Sequence, residues 1–155
     1  MELRIERQSL MRSLSHVQSV VERRNTIPIL SNVLIECEGD AVTPTATDMD
    51  LTIRESTGAS VVKPGAITAP AHMLFDIVRK LPDGVEVGLT KSDGSDRMTL
   101  TAGKARFELS TLPREDYPAL DGADLPISFE MPAEELKTLI ERTRFAISTE
   151  ETRYY

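Results

Sequence analysis

Two aspartates, Asp48 and Asp50, are the residues whose type and spacing best suit chemistry. Paired carboxylates can act as a general acid and base, or as half of a metal site. No third ligand follows at a suitable spacing, and no histidine marks a neighbouring strand end. The side chain of Asp48 can instead accept hydrogen bonds from nearby backbone amides. We therefore predict a turn here and no catalytic residue.

The other chemically versatile side chains are few and isolated, because the chain has two histidines and one cysteine. His16 has no cysteine or second histidine beside it, which is typical of a surface residue. Cys37 alternates with Ile35, as a small core residue does. A single cysteine excludes an internal disulfide and a cysteine-rich metal site. Without a nucleophile–base pair, a metal cluster or a phosphate-binding glycine loop, the sequence predicts no enzyme, no metal and no cofactor.

The composition is ordinary for a globular protein of 155 residues, with 40% hydrophobic and 28% charged residues. Aromatic residues are scarce and tryptophan is absent, so the core must be aliphatic. No apolar run approaches the roughly 20 residues of a membrane-spanning helix. Residues 1–7 alternate charged and aliphatic side chains and lack a signal-peptide core. These features predict a cytoplasmic protein with no membrane partner.

The net charge of −7 is unevenly distributed along the chain. Two segments with helical spacing, 8–24 and 70–81, together carry five basic and two acidic residues. The rest of the first 125 residues carries nine basic and seventeen acidic residues. A basic helix pair on an acidic body suits a protein that accepts a polyanion on one face only. The alternative is that each helix has an ordinary solvated face.

The same order of elements, strand–helix–strand–strand–strand, is predicted twice, in residues 2–57 and 61–111. The predicted strands are 2–7, 33–38, 41–47, 49–57, 66–69, 85–90, 97–101 and 105–110. Pro44 indicates an edge position or a bulge in its strand. One βαβββ unit covers its own sheet poorly, so we expect a pseudo-two-fold pair with two helices on one face of antiparallel sheets. The predicted fold class is α+β.

Residues 112–126 are rich in proline and acidic residues and predict an irregular connector. A strand over 127–130 and a helix over 132–144 then restart the unit, and the chain ends before its partner strands. We predict a first domain over 1–125 and an incomplete second domain over 126–155. A strand and helix alone expose apolar surface, so we expect the natural protein to be longer.

Seven segments in this order resemble the bacterial DNA polymerase III beta subunit family, the sliding clamps. They are 24–32 (RNTIPILSN), 46–51 (ATDMDL), 70–72 (PAH) with 75–77 (FDI), 81–84 (LPDG), 106–113 (RFELSTLP), 116–118 (DYP) and 153–155 (RYY). The resemblance covers essentially the whole chain. Each segment alone is weakly specific, whereas the ordered set is highly specific.

The resemblance implies the DNA clamp, or processivity-factor, fold. Family members have three similar domains per subunit, and two subunits close head to tail around duplex DNA, with helices lining the hole. The ring performs no chemistry and tethers the replicative polymerase, so processivity comes from encirclement. The pocket for the polymerase and the clamp loader lies between the second and third domains, and is therefore largely absent from this chain.

The resemblance also implies DNA-binding residues, which are Arg24, His72, Arg79, Lys80, Arg153, Tyr154 and Tyr155. Arg24 matches a contact at the inner rim, and Tyr154 and Tyr155 match a segment near bound template strand, where tyrosines could stack on bases. The family usually has basic residues where this chain has His72 and Met73, so a weaker contact is expected there.

The strand 104–109 resembles the edge at which two family subunits meet. The implied interface residues are Lys104, Arg106, Phe107 and Leu109. Phe107 and Leu109 alternate onto one face, which is equally consistent with core residues. The alternative to a ring is a stand-alone clamp-fold domain that binds proteins without encircling DNA.

Overall fold

The computed structural model describes residues 1–22, 26–118, 127 and 129–148. The chain divides into two compact units, Met1–Ala119 and Leu120–Tyr155. Among the described residues, the first unit contains ten strands and two α-helices. The strands are β1 (Glu2–Glu6), β2 (Asn32–Glu38), β3 (Ala41–Thr47), β4 (Thr52–Arg54), β5 (Thr57–Gly58), β6 (Ser60–Lys63), β7 (Gly65–Pro70), β8 (Glu86–Thr90), β9 (Arg97–Ala102) and β10 (Ala105–Ser110). The helices are α1 (Arg7–Val17) and α2 (Ala71–Lys80).

The strands form two antiparallel sheets, and the two repeats exchange their first strands. Sheet A has the order β10-β9-β8-β1-β6, and sheet B has the order β4-β3-β2-β7, with β5 also pairing with β3. Thus β1 of the first repeat pairs with β8 of the second, while β7 of the second pairs with β2 of the first. Helices α1 and α2 contact each other. The predicted α+β fold with a duplicated βαβββ unit is confirmed.

Strand β6 was not predicted from the sequence. Its residues are mostly exposed, so it lacks the apolar alternation that marks a half-buried strand. It forms by pairing with β1 at the edge of sheet A, and the chain then turns through Pro64 into β7 of sheet B. At this corner Gly65 has φ +152°, and a Cβ there would lie 3.2 Å from the Cβ of Met1.

Helix α1 is shorter at its C-terminus than the predicted 8–24. The Glu6 carboxylate caps its N-terminus by accepting the Ser9 amide at 2.8 Å. Hydrogen bonds from the amides of Gln8 and Ser9 lower the pKa of Glu6. After Val17 a 3-10 turn, Gln18–Val20, leads into extended Val21. The β-branched valines here disfavour a continuing helix, and burying Val20 and Val21 draws the chain into the core.

The predicted strand 49–57 is instead two short strands, β4 and β5, which pair with β3 on either side of a break at Glu55–Ser56. Pro44 is buried in β3, which lies between β2 and β4. Pro44 therefore lies in an interior strand, so the predicted edge position was wrong. The register of β3 with β4 and with β5 is the same on both sides of the break, so the predicted alternative of a bulge is not observed either. The break in pairing opposite Pro44 accommodates a residue with no amide hydrogen to donate.

The main core is aliphatic, as predicted. It joins the inward faces of both sheets to the buried sides of α1 and α2, and includes Leu3, Leu10, Leu14, Ile35, Ile67, Leu74, Leu89 and Leu100. Cys37 is also in this core, with 3% of its surface exposed, which confirms its prediction.

A second, smaller cluster lies on the outer face of sheet B and contains Ile29, Leu30, Leu34 and Tyr117. Two features fasten residues 111–117 to that sheet. The Tyr117 hydroxyl donates to the backbone oxygen of Thr45 at 3.0 Å. The Thr68 hydroxyl donates to the Leu112 oxygen at 2.7 Å and accepts from the Leu112 amide at 2.9 Å.

In the second unit, α3 (Ala133–Thr143) confirms the predicted helix over 132–144. All its residues are exposed, including the apolar stripe of Leu136, Leu139 and Ile140. The described residues of the predicted strand 127–130, namely Ile127, Phe129 and Glu130, have no strand pairing. No described helix is long and apolar enough to cross a membrane.

Candidate nucleic-acid and subunit interfaces

The exposed sides of the two neighbouring helices are basic. Helix α1 presents Arg12 and has no acidic residue, since its other arginine, Arg7, is mostly buried. Helix α2 carries Arg79 and Lys80 with one acidic residue, Asp76. Both basic residues of α2 lie in its last turn, where the helix dipole also favours positive charge. The helix layer therefore has positive charge in a chain whose net charge is −7.

Arg79 and Lys80 differ in how far they are engaged within the protein. Arg79 pairs with Asp76 at 3.0 Å, and its guanidinium carbon lies 5.8 Å from the centre of the Phe75 ring. Lys80 is exposed and forms no ion pair with any residue that the structure describes. An exposed pair such as Arg79–Asp76 is worth little in water, so it can open to admit a phosphate.

His72 is held within the protein by both ring nitrogens. Its Nε2 lies 2.9 Å from the backbone oxygen of Val21, and its Nδ1 lies 3.0 Å from the side-chain oxygen assigned to Gln18. The Val21 oxygen can only accept, so Nε2 donates to it. The ring is half-buried. A contact between His72 and phosphate would have to replace one of these bonds.

Four of the predicted DNA contacts lie outside the described residues, namely Arg24, Arg153, Tyr154 and Tyr155.

The sequence pattern did not identify Arg7 as a functional residue and placed it at the end of a strand. The Arg7 guanidinium contacts the end of α2, whose atoms lie more than 70 residues further along the chain. No local sequence signal can indicate such a contact.

Strand β10 is an edge of sheet A, paired only with β9 among the described residues. Phe107, with 37% of its surface exposed, projects from this edge beside α2. It lines a shallow groove of about 330 Å³ with Met73, Asp76, Ile77, Lys80 and Leu81. An unpaired edge beside an exposed apolar patch is a suitable template for adding a strand from another chain.

The other predicted interface residues lie in different environments. Leu109 has 1% of its surface exposed and belongs to the main core, so its side chain is not available to a partner. Lys104 is exposed in the turn before β10. Arg106 is exposed on the opposite face of the strand from Phe107, where it lies 3.4 Å from Glu108. Of the four predicted interface residues, only Phe107 combines apolar character, exposure and an edge position.

The family described as DNA polymerase III beta subunit, N-terminal domain, matches residues 1–121. The chain belongs to this family. The beta sliding clamp of Caulobacter vibrioides is 53% identical over 155 residues, and that of Escherichia coli K12 is 35% identical over 156 residues. Each match spans the whole chain but only 42% of the relative's length.

Solved family structures agree with this assignment. A crystal structure of the Caulobacter crescentus beta sliding clamp superimposes with a TM-score of 0.93 at 54% identity, covering 100% of this chain and 41% of that one. The Pseudomonas aeruginosa clamp bound to griselimycin gives a TM-score of 0.91 at 36% identity, covering 100% of this chain and 42% of that one. The clamp fold predicted from the sequence is thus confirmed.

The aspartate pair has a structural role in this member of the family. One Asp48 carboxylate oxygen accepts from the Asp50 amide at 3.0 Å and from the Leu51 amide at 2.7 Å, which confirms the predicted turn. His16 is on the surface, as predicted, with its Nδ1 2.5 Å from Glu55. No cluster of three or more His, Cys, Asp or Glu side chains that could hold a metal occurs among the described residues.

Proposed function

We propose that this chain is the N-terminal part of a sliding clamp subunit, which encircles duplex DNA and tethers the replicative polymerase. The observation that carries the proposal is the family match over residues 1–121, together with a basic helix layer on an acidic chain. The subunit is an accessory protein of the cytoplasmic replication machinery, with no catalytic site of its own. Residues 1–125 form its first domain and 126–155 begin its central domain.

The α1–α2 surface faces the DNA, and the contacts are few and individually weak. Lys80 is exposed without an ion pair to a described residue, and Arg79 is engaged by the exposed carboxylate of Asp76 and the ring of Phe75. Arg24, Arg153, Tyr154 and Tyr155 complete the contact set. Each phosphate contact adds to the salt dependence of binding, so a weak set allows sliding while the closed ring prevents escape.

The β10 edge is the subunit interface of the ring. Phe107 and the groove it forms with α2 provide apolar surface that a second subunit can bury. Lys104 and Arg106 are exposed and can pair with carboxylates of that subunit. The chain spans 42% of the length of the clamps it matches, and we assign the binding of the polymerase and the clamp loader to the part of the subunit beyond it.

The decisive experiment loads the complete natural subunit onto nicked circular DNA and measures its retention after linearisation. A ring stays on circles and is lost from linear DNA. The variant Phe107→Asp should lower the dimer fraction in sedimentation and abolish retention, whereas Val62→Asp, at an exposed apolar residue on strand β6, should change neither. Equal retention on circular and linear DNA would refute encirclement.

A second test replaces Arg79 and Lys80 with alanine. The logarithm of the DNA affinity should then fall less steeply with the logarithm of salt concentration, by the equivalent of about one to two phosphate contacts.

The alternative function is a stand-alone clamp-fold domain that binds proteins without forming a ring. A natural stop codon directly after Tyr155 would favour that alternative, whereas an open reading frame reaching the length of the clamps in other bacteria would favour the ring. The 155-residue chain alone should not be retained on circular DNA.

A further inference from the structure

The first turn of each helix in the layer reaches the end of the other helix. Arg7, the first residue of α1, contacts the last turn of α2. His72, the second residue of α2, contacts the segment that follows α1. The two helices therefore run antiparallel. Arg7 binds the carbonyl end of α2, and His72 binds the backbone just beyond the 3-10 turn that follows α1. These contacts join the two repeats of the domain.

Arg7 binds the end of α2 through all three guanidinium nitrogens. Its Nε donates to the Val78 oxygen at 3.0 Å, one Nη donates to the Arg79 oxygen at 2.7 Å, and the other pairs with Asp83 in the following turn. Only 13% of the Arg7 side chain is exposed. The last carbonyls of a helix lack partners within the helix, and a cation there is also favoured by the helix dipole.

His72 contacts the segment beyond α1, where Val21 follows the 3-10 turn Gln18–Val20. Its Nε2 donates to the Val21 oxygen, and the amide of Gln18 faces its Nδ1. Amide oxygen and nitrogen are interchangeable in assignment, so Gln18 can donate to Nδ1 from its nitrogen. Every polar atom of the ring then has a partner within the protein.

We propose that Arg7 and His72 are positioning residues of the DNA-facing layer, where Arg7 sets the basic end of α2 and His72 fixes the segment that follows α1. Arg7 holds the backbone of Arg79, one residue before Lys80. His72 holds the backbone of Val21, three residues before Arg24 in the sequence. His72 thus acts on DNA binding through the chain segment it fixes rather than by touching phosphate. This inference rests on the proposed DNA-facing role of the layer.

The test uses the complete natural subunit and measures both backbone opening and DNA binding. Arg7→Met keeps the length of the side chain and removes its donors, and Arg7→Lys retains the charge. Arg4→Met is the charge-matched control, because Arg4 is an exposed arginine that pairs with Glu86 on β8. Ile35→Val is the stability-matched control, because it removes one methylene from the main core.

Hydrogen exchange in R7M should accelerate about tenfold at residues 78–85 and not across the sheets, a factor that equals about 1.4 kcal/mol. Its affinity for duplex DNA should fall by about the same factor as that of Lys80→Ala, with partial recovery in R7K. His72→Leu should accelerate exchange at residues 18–22, and His72→Gln should restore most of the protection. R4M and I35V should leave these local rates unchanged relative to the rest of the molecule.

Three results would overturn the inference. Exchange that rises uniformly in R7M, as in I35V, would show that Arg7 only stabilises the fold. Local opening with a DNA affinity equal to that of R4M would show that the helix end need not be fixed for binding. Loss of DNA affinity in H72Q as large as in H72L, although H72Q keeps most of the exchange protection, would identify His72 as a direct contact. If K80A and Arg79→Ala themselves leave DNA binding unchanged, the proposed DNA face is wrong, and the exchange rates still decide whether the two residues hold the helix ends.

Discussion

Tyr117 is the only buried aromatic residue in the part of the chain that the structure describes. Its ring lies in the small cluster on the outer face of sheet B, and its hydroxyl donates to the Thr45 backbone oxygen. Burial raises the pKa of Tyr117 to about 12. The ordinary pKa of tyrosine is about 10, so the folded state disfavours the phenolate. Replacing Tyr117 with phenylalanine therefore has effects of opposite sign at neutral and at high pH.

At neutral pH, Tyr117→Phe keeps the ring and loses one hydrogen bond, which lowers the free energy of unfolding by about 1 kcal/mol. At high pH the unfolded chain ionises first. The pKa of Tyr117 is higher in the folded than in the unfolded protein. Its neutral phenol therefore contributes fully to the free energy of unfolding below about pH 10, and this contribution is lost as the pH rises toward 12. A shift of about two units corresponds to about 2.7 kcal/mol when complete. The loss reaches about 1 kcal/mol between about pH 10.5 and 11, so the two stability curves cross there.

Urea unfolding of both proteins between pH 7 and pH 11.5 measures this crossing. Every other titrating group is common to the two proteins, so its effect cancels in the difference between them. Parallel curves without a crossing would refute the claim that the buried phenol resists ionisation. A variant that is already the more stable protein at pH 7 would refute the claim that the bond to Thr45 stabilises the fold.

Three further predictions concern single sites. Thr68→Val should lower the free energy of unfolding by about 2 kcal/mol, because the Leu112 amide and carbonyl both lose their partner; chemical unfolding measures this. Gly65→Ala should cost about 1–3 kcal/mol in the same assay, because its φ of +152° suits glycine alone, whereas Gly58→Ala, which meets nothing within 4 Å, should be nearly neutral. Cys37 should react with a disulfide reagent at least about 100-fold more slowly in the native protein than in urea, since burial shields the thiol and raises its pKa.

Local sequence patterns were sufficient to predict most of the elements. Helix α2 and strands β8, β9 and β10 lie within one residue of their predicted bounds, because apolar spacing and the turns between them are properties of adjacent residues. The failures occur where partners distant in the sequence determine the outcome. Strand β6 forms only because it can pair with β1, and α1 ends early because Val20 and Val21 are buried in the core.

The candidate interfaces show the same division. The basic character of α2 is visible in the sequence, and so is the alternation of Phe107 and Leu109. Which of these two residues is exposed depends on where the helix layer ends over the edge of sheet A. That boundary leaves Phe107 partly uncovered and buries Leu109. Periodicity predicts on which face of a strand a residue lies, but it does not predict how far along the strand the helix layer covers that face.

The two repeats solve the same structural problem with different residues, which explains why the duplication is visible in the architecture and not in the sequence. In each repeat the first turn of the helix carries a donor for a backbone carbonyl at the end of the other helix or in the segment just beyond it. The first repeat supplies a guanidinium from Arg7, and the second supplies an imidazole from His72. Because the first strands are also exchanged between the sheets, neither repeat completes its own hydrogen bonds. The requirement conserved between the repeats is thus a donor at a place in the fold, which different residue types can meet.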